Sequence, residues 1–162
     1  MTWLDSFIRR MQAQRACLDH AAALIRDLPG PALEIGLGNG RTYDHLRQRL
    51  PERTIFAFDR QLAAHPACIP PPGHLFLGEI GDTLPAMYAR IGATAALIHI
   101  DIGSGDAAAN ARLAASISPQ VERLIAAGGV LLSDQALTVS RLRPADLPAG
   151  VSPGRYHLYR AA

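Results

Sequence analysis

Apolar residues recur at helical spacing over the first 28 positions: Leu4, Ile8, Met11, Leu18, Ala22 and Ile25 share one face. Thr2 and Asp5 form a Thr-x-x-Asp start signal ahead of them. Leu28-Pro29-Gly30-Pro31 is an abrupt stop. The pattern predicts one N-terminal helix over residues 1–28. Periodicity does not distinguish a helix packed on the core from a lid over a ligand. After it, short apolar runs alternate with polar, helix-compatible stretches. Ala32–Ile35, Thr54–Phe58, His74–Leu77, Ala95–Ile100 and Val130–Leu132 read as strands. Thr42–Leu50 reads as a helix, and Leu84–Arg90 as a short one with Pro85 in its first turn. A helix capped by Asp106 should run to Ile117. Ser118-Pro119 should open another, stopped by Gly128-Gly129. The four prolines between His65 and Gly73 predict irregular chain. Tyr156–Tyr159 is a last strand candidate.

Strands separated by helices must pair in parallel, because a parallel connection needs a crossover. Strands that are apolar throughout suit a sheet covered on both faces. The expected fold is therefore α/β: a doubly wound, mostly parallel open sheet with helices on both faces, and the N-terminal helix added. Ligands of such folds bind beyond the carboxyl ends of the strands. The strand ends here carry Glu34, Asp59, Glu79, Asp101 and Asp134. One acid per strand end is the most informative pattern in the chain.

Length sharpens this to one domain, residues 1–162, large enough for a core without disulfides or metals. Cys17 and Cys68 are too few for a disulfide scaffold and read as small core residues. Hydrophobic residues make up 49% of the chain, which excludes a disordered polypeptide. The net charge of +2 is too small to argue for nucleic acid or an anionic membrane as main partner. All 16 basic residues are arginine, so no Schiff-base or P-loop lysine is available. Arginines break the N-terminal apolar pattern, and no apolar run approaches the ~20 residues of a membrane span. The expectation is a cytoplasmic protein.

Glu34-Ile35-Gly36-Leu37-Gly38-Asn39-Gly40 lies between a predicted strand and helix. Glycines there let backbone approach a ligand, and the N–H groups of the following helix can hold an anion. Asp59, 19 positions past Gly40, ends the next strand, where a carboxylate can accept both hydroxyls of a ribose. A nicotinamide fingerprint, G-x-G-x-x-G, would need glycine at position 41, which is Arg41. A nicotinamide-dependent oxidoreductase is thus one alternative, and a non-catalytic nucleoside-binding module another.

Glu34 with Gly36, Gly38 and Gly40 resembles motif I of the class I S-adenosylmethionine-dependent methyltransferases. Asp59 matches that family's ribose-binding acid. Gly78-Glu79-Ile80 resembles its adenine-contacting segment, and Asp101 its residue facing the methionine end and the acceptor. Gly128–Leu132 resembles its glycine turn into strand five. The resemblance spans residues 33–134 and implies a Rossmann-like methyltransferase fold that binds S-adenosyl-L-methionine and releases S-adenosyl-L-homocysteine. It implies cofactor contacts from Glu34, Gly36, Leu37, Gly38, Asn39, Gly40, Asp59, Arg60, Glu79, Ile80, Asp101 and Ile102. Asp101 is the expected catalytic residue, orienting the methionine amino group or the acceptor. The family closes its sheet with two more strands as a hairpin. Only one can be placed in the 28 residues after Asp134.

Methyl transfer from a sulfonium needs mainly alignment of donor and acceptor. His99 and Asp134 are further candidates for a base. His99 shares a strand face with Asp101, and as an internal strand residue it reads first as a hydrogen-bonded core histidine. Asp101 and Asp134 also resemble the strand ends of divalent-metal-dependent O-methyltransferases. Gln135 stands where that family has Asn, and its Lys is missing, so the site is read as metal-free with this pair as the alternative. Arg41, Arg47, Arg49, Arg53 and Arg60 read as a solvated helix face, with an acidic or phosphate-bearing acceptor as the functional alternative. Trp3 and Phe7 read as core contacts, with an aromatic acceptor wall as theirs. The expected partner is a small-molecule acceptor, with no nucleic acid and no membrane. The site is then open, lidded by the first helix, or completed by a second subunit of a homo-oligomer.

Overall fold

The computed structural model describes residues 2–162; Met1, the first residue of the predicted helix, lies outside them. The chain begins with α1 (Trp3–Leu24), then β1 (Ala32–Ile35), α2 (Arg41–Arg49) and β2 (Ile55–Asp59). A 3-10 turn at Pro66–Cys68 leads to β3 (Leu75–Leu77), α3 (Ile80–Ile91), β4 (Ala95–Ile100), α4 (Ala107–Leu124) and β5 (Ile125–Ser133). β6 (Leu142–Pro144) and β7 (His157–Ala161) complete it.

The strands form one seven-stranded sheet in the order β3-β2-β1-β4-β5-β7-β6. β1 to β5 pair in parallel, and β7 runs antiparallel to both β5 and β6. This is the expected doubly wound α/β fold. The strand order reverses between β1 and β4, which opens a crevice at their carboxyl ends.

Apolar strands hide an alternation that burial makes visible. Ala32, Leu97, Val130 and Leu132 point to the layer formed by α1 and α2. Leu33, Ile35, Ile98, Ile100 and Leu131 point to the layer formed by α3 and α4. With a period of two, Glu34 and His99 fall on the α1/α2 side. They are register partners on β1 and β4, and both are fully buried.

The capping box at Thr2 and Asp5 forms as predicted. The predicted inward face of α1 does not close along its whole length. Leu18, Ala22 and Ile25 are buried, but Leu4 is 66% and Ile8 43% exposed. Trp3 is 90% and Phe7 40% exposed, so neither is a core contact. A helix of 22 residues is about 33 Å long and outruns strands of four to six residues. Its first turns project past the sheet.

Three further boundaries differ from expectation. α3 starts at Ile80, so Pro85 lies in the helix interior, where the carbonyl it leaves unbonded, that of Gly81, belongs to an exposed residue. α4 is one helix, not two. Pro119 is carried within it because Ala114, Ile117, Val121 and Leu124 face a single core layer. Ser118 does not cap; its hydroxyl donates to the Ala114 carbonyl at 2.6 Å and accepts from Thr138 N–H at 3.0 Å. Gly128-Gly129 lies inside β5, at the irregularity in its pairing with β4, rather than ending a helix. β6, which supplies the missing hairpin strand, was not foreseen: it is three residues long and contains Pro144. A proline is tolerated there because β6 is an edge strand.

Candidate active site

The β1–α2 loop makes the floor of the crevice. Gly36 adopts φ +90°, and a Cβ there would collide with the backbone carbonyl of Asp101. Glycine at 36 is what lets β1 and β4 end side by side. Gly38 (φ +51°) is different: nothing lies within 4 Å of the place a Cβ would take. Its surface is open to the crevice. Gly38 N–H donates to Asp59 Oδ2 at 2.8 Å, and Arg60 N–H to Asp59 Oδ1 at 2.7 Å. Each oxygen keeps a lone pair for a further donor. Glu79 occupies the N-cap position of α3 without a side-chain capping bond, and Ile80 begins the helix. They lie beside Asp59, since Gly78 N–H donates to the Asp59 carbonyl at 3.0 Å.

A cleft of roughly 220 Å³ opens between this loop, Asp101 and Gly103, and the Arg10, Met11 and Gln14 face of α1, with Arg41 at its edge. Below it runs a chain of buried polar contacts. Gln14 Nε2 donates to Asp101 Oδ2 and to Tyr156 Oη, both at 2.7 Å. Tyr156 Oη lies 3.3 Å from His99 Nε2. His99 Nδ1 is 2.7 Å from Glu34 Oε2 and must carry the proton, because a carboxylate only accepts. Thr42 Oγ1 donates to the other Glu34 oxygen. Burial works against a charged His99. The Glu34 carboxylate, its hydrogen bond and the more distant Asp101 and Asp134 charges outweigh it, so the imidazole titrates above its ordinary range. Burial, more than the neighbouring acids, pushes the Tyr156 phenol up.

Asp134 follows β5. It accepts from Ile102 N–H at 3.3 Å, Gly103 N–H at 2.8 Å and the Gln135 amide at 3.1 Å. Burial, with Asp101 adding repulsion, raises its carboxyl above the usual carboxylate range against these bonds. Among the described residues no group of three or more His, Cys, Asp or Glu side chains is placed to hold a metal ion. The predicted arginine cluster disperses. Arg47 pairs with Asp44, Arg49 with Asp19, and Arg53 donates to the Gly30 and Ile25 carbonyls. Arg41 alone of the five reaches the cleft. A larger groove of about 1180 Å³ lies at the opposite end of the strands, beside Arg26, Pro29 and Arg53. It is at the amino ends of the strands, away from the glycine loop.

A family model described as S-adenosyl-L-methionine methyltransferase matches residues 1–161. The chain belongs to this family. It is an S-adenosyl-L-methionine-dependent methyltransferase with a Rossmann-like fold. The S-adenosyl-L-methionine methyltransferase of Silicibacter pomeroyi DSS-3 is 46% identical to it; the match covers 100% of this chain and 99% of that one, with a TM-score of 0.95. A 16S rRNA (adenine(1408)-N(1))-methyltransferase from Catenulisporales acidiphilia, crystallised with its cosubstrate, shares the fold at 14% identity and TM-score 0.51, covering 90% and 91% of the two chains. The aminoglycoside resistance methyltransferase NpmB1 does so at 12% identity and TM-score 0.53, covering 90% and 93%. No curated protein gave a match. Membership of the family displaces the nicotinamide reading.

Of the residues singled out in the sequence, Gly36, Leu37, Gly38, Asn39 and Asp101 line the methyltransferase's cleft. Asp59 is joined to that loop by the Gly38 N–H bond, Arg60 by its own N–H bond to Asp59, and Glu79 and Ile80 follow Gly78, which bonds the Asp59 carbonyl; none of the four lines the cleft itself. Gly40, the N-cap of α2, is buried behind the loop, and Ile102 N–H is turned to Asp134. Glu34 and His99 lie beneath the cleft rather than in it. Gln14, Tyr156, Arg10 and Met11 were missed. Their distance along the chain from the glycine loop left no local signal, although a glutamine among the inward residues of an amphipathic helix was a visible irregularity.

Proposed function

We propose that this methyltransferase moves the methyl group of S-adenosyl-L-methionine onto a small-molecule acceptor, with residues 1–162 acting as one cofactor-binding domain. Asp59 would accept the two ribose hydroxyls, and Glu79 and Ile80 would flank the adenine. Gly36, Leu37, Gly38 and Asn39 would bring bare backbone against the methionine half, with Gly40, Arg60 and Ile102 holding the loops around it. Asp101 would take the methionine ammonium or orient the acceptor. Glu34 serves this site from below, by fixing Thr42 and His99. The cofactor supplies a methyl group already activated by the positive sulfonium. The protein's task is then alignment, which contributes on the order of 7–11 kcal/mol in well-oriented reactions.

The observation that carries this reading is the Asp59 carboxylate. It is held by two backbone N–H groups, one of them in the glycine loop, with acceptor capacity left on both oxygens. The residues fit the cofactor for a second reason: Gly38 lines the cleft with bare backbone, and a side chain there would project into open space that the cofactor would use. A small acceptor is favoured over nucleic acid by the low net charge and by the commitment of Arg47, Arg49 and Arg53 to internal contacts. The neighbours named for RNA methylation and aminoglycoside resistance share the fold at 12–14% identity. Asp59→Ala should weaken S-adenosyl-L-homocysteine binding about tenfold or more by calorimetry, the scale expected for charge-assisted hydrogen bonds. Unchanged affinity would refute the ribose assignment.

A further inference from the structure

Trp3, Phe7, Arg10 and Gln14 follow one another at spacings of four, three and four, so they form a single stripe along α1. Gln14 is buried against Asp101 at the base of the cleft. Arg10 lines the cleft one turn out. Phe7 follows, with the Arg10 and Arg41 guanidinium carbons 5.9 and 5.6 Å from its ring centre. Trp3 ends the stripe in solvent, about 16 Å along the helix from Gln14. Neither Arg10 nor Arg41 has a carboxylate within 4.0 Å among the described residues, whereas Arg47 and Arg49 both do. Asp5, the acid nearest this end of α1, is occupied by its capping box with Thr2.

Two unpaired guanidinium groups beside an exposed aromatic face are complementary to one kind of molecule. We propose that the outer half of α1 is the acceptor-binding wall of this methyltransferase, and that the acceptor is a planar ring bearing an acidic group. The ring packs along the Trp3–Phe7 stripe, and the anion sits between Arg10 and Arg41, the two guanidinium groups gathered over Phe7. Bidentate guanidinium contacts favour a carboxylate or phosphate. The inference rests on the cofactor reading of the cleft, because it takes the Asp101 end as the methyl donor's side.

Trp3 is the chain's single tryptophan, so intrinsic fluorescence reports on the wall directly. The protein, saturated with S-adenosyl-L-homocysteine, would be titrated with benzoate, 4-hydroxybenzoate, phenylacetate and phenyl phosphate, and with the neutral amides of the three carboxylates. At least one acid should quench Trp3 saturably, with its neutral counterpart about tenfold weaker or more. Arg10→Gln and Arg41→Gln, assayed at saturating S-adenosyl-L-homocysteine, should each weaken that acid about fivefold or more, and by a larger factor than they weaken S-adenosyl-L-homocysteine itself. The proposal is overturned if no acid quenches saturably, or if amides bind as well as acids. It is overturned too if the arginine variants lose S-adenosyl-L-homocysteine instead, or if a single-stranded oligoribonucleotide outcompetes every acid. Failure of S-adenosyl-L-homocysteine to bind the unaltered protein would refute the cofactor reading itself, which separates the two failures.

Discussion

Gln14 on α1 donates its side-chain amide to Oδ2 of Asp101 at 2.7 Å, across 87 positions of sequence. The same nitrogen donates to Tyr156 Oη. One residue therefore ties the N-terminal helix, the end of β4 and the segment before β7 to the floor of the cleft. Gln14→Ala should leave the Asp101 carboxylate without its side-chain donor and take one of two partners from Tyr156 Oη, which keeps His99 Nε2. Each lost bond of this kind costs about 1–3 kcal/mol in a buried setting. The variant should melt several degrees lower and bind S-adenosyl-L-homocysteine several-fold more weakly. An unchanged melting temperature and affinity would show that the contact does neither job.

The buried Glu34–His99 pair makes stability depend on pH. The folded pKa of His99 lies above its ordinary 6.5. Its contribution is therefore complete below about pH 6.5 and is lost as pH rises through the folded value. Melting temperatures measured from about pH 6 to pH 9 should fall for the native protein. His99→Asn should be less stable at the acid end and show a flatter profile. A profile as steep as that of the native protein would remove His99 as its source.

Gly36 and Gly38 should respond differently to the same substitution. Gly36→Ala forces a Cβ into the Asp101 carbonyl and should fold poorly or not at all. Gly38→Ala meets only the penalty of a left-handed alanine, about 1–2 kcal/mol, and should fold. Its added methyl projects into the cleft, so on the proposed cofactor placement analogue affinity should drop well beyond the stability loss. Calorimetry on the soluble Gly38→Ala protein checks this.

The two thiols should also differ. Cys17 is fully buried in the α1/α2 layer, and burial pushes its thiol up to about 11. Cys68, on the turn behind the glycine loop, is partly accessible. A disulfide reagent at neutral pH should modify one thiol in the native protein and two after denaturation. Cys68→Ser should abolish the native reaction, because thiolate fraction and access govern the rate.

Much of the fold was legible because it follows from local rules. Apolar runs bounded by glycine, proline and acids placed β1, β2, β3, β4 and the core of β5 within a residue or two. Their alternation with helices dictated parallel pairing. The Thr2–Asp5 cap and the Leu28–Pro31 stop bracketed α1. Errors arose where a local signal met a tertiary demand. Ser118-Pro119 looks like a helix start, yet a continuous buried face carried α4 through it. Pro144 argues against a strand, yet an edge position accepts it.

The sequence by itself determined the alternation of strands and helices, the glycine loop and the acids at the strand ends, since each depends on neighbours a few residues away. Only the tertiary structure decided what those acids touch. Glu34 and His99 meet because β1 lies beside β4. Asp101 is held by a helix 87 positions earlier, and Trp3 and Phe7 stay exposed because α1 is longer than the sheet it covers. Contacts between distant segments are set by packing and register, which no local pattern encodes.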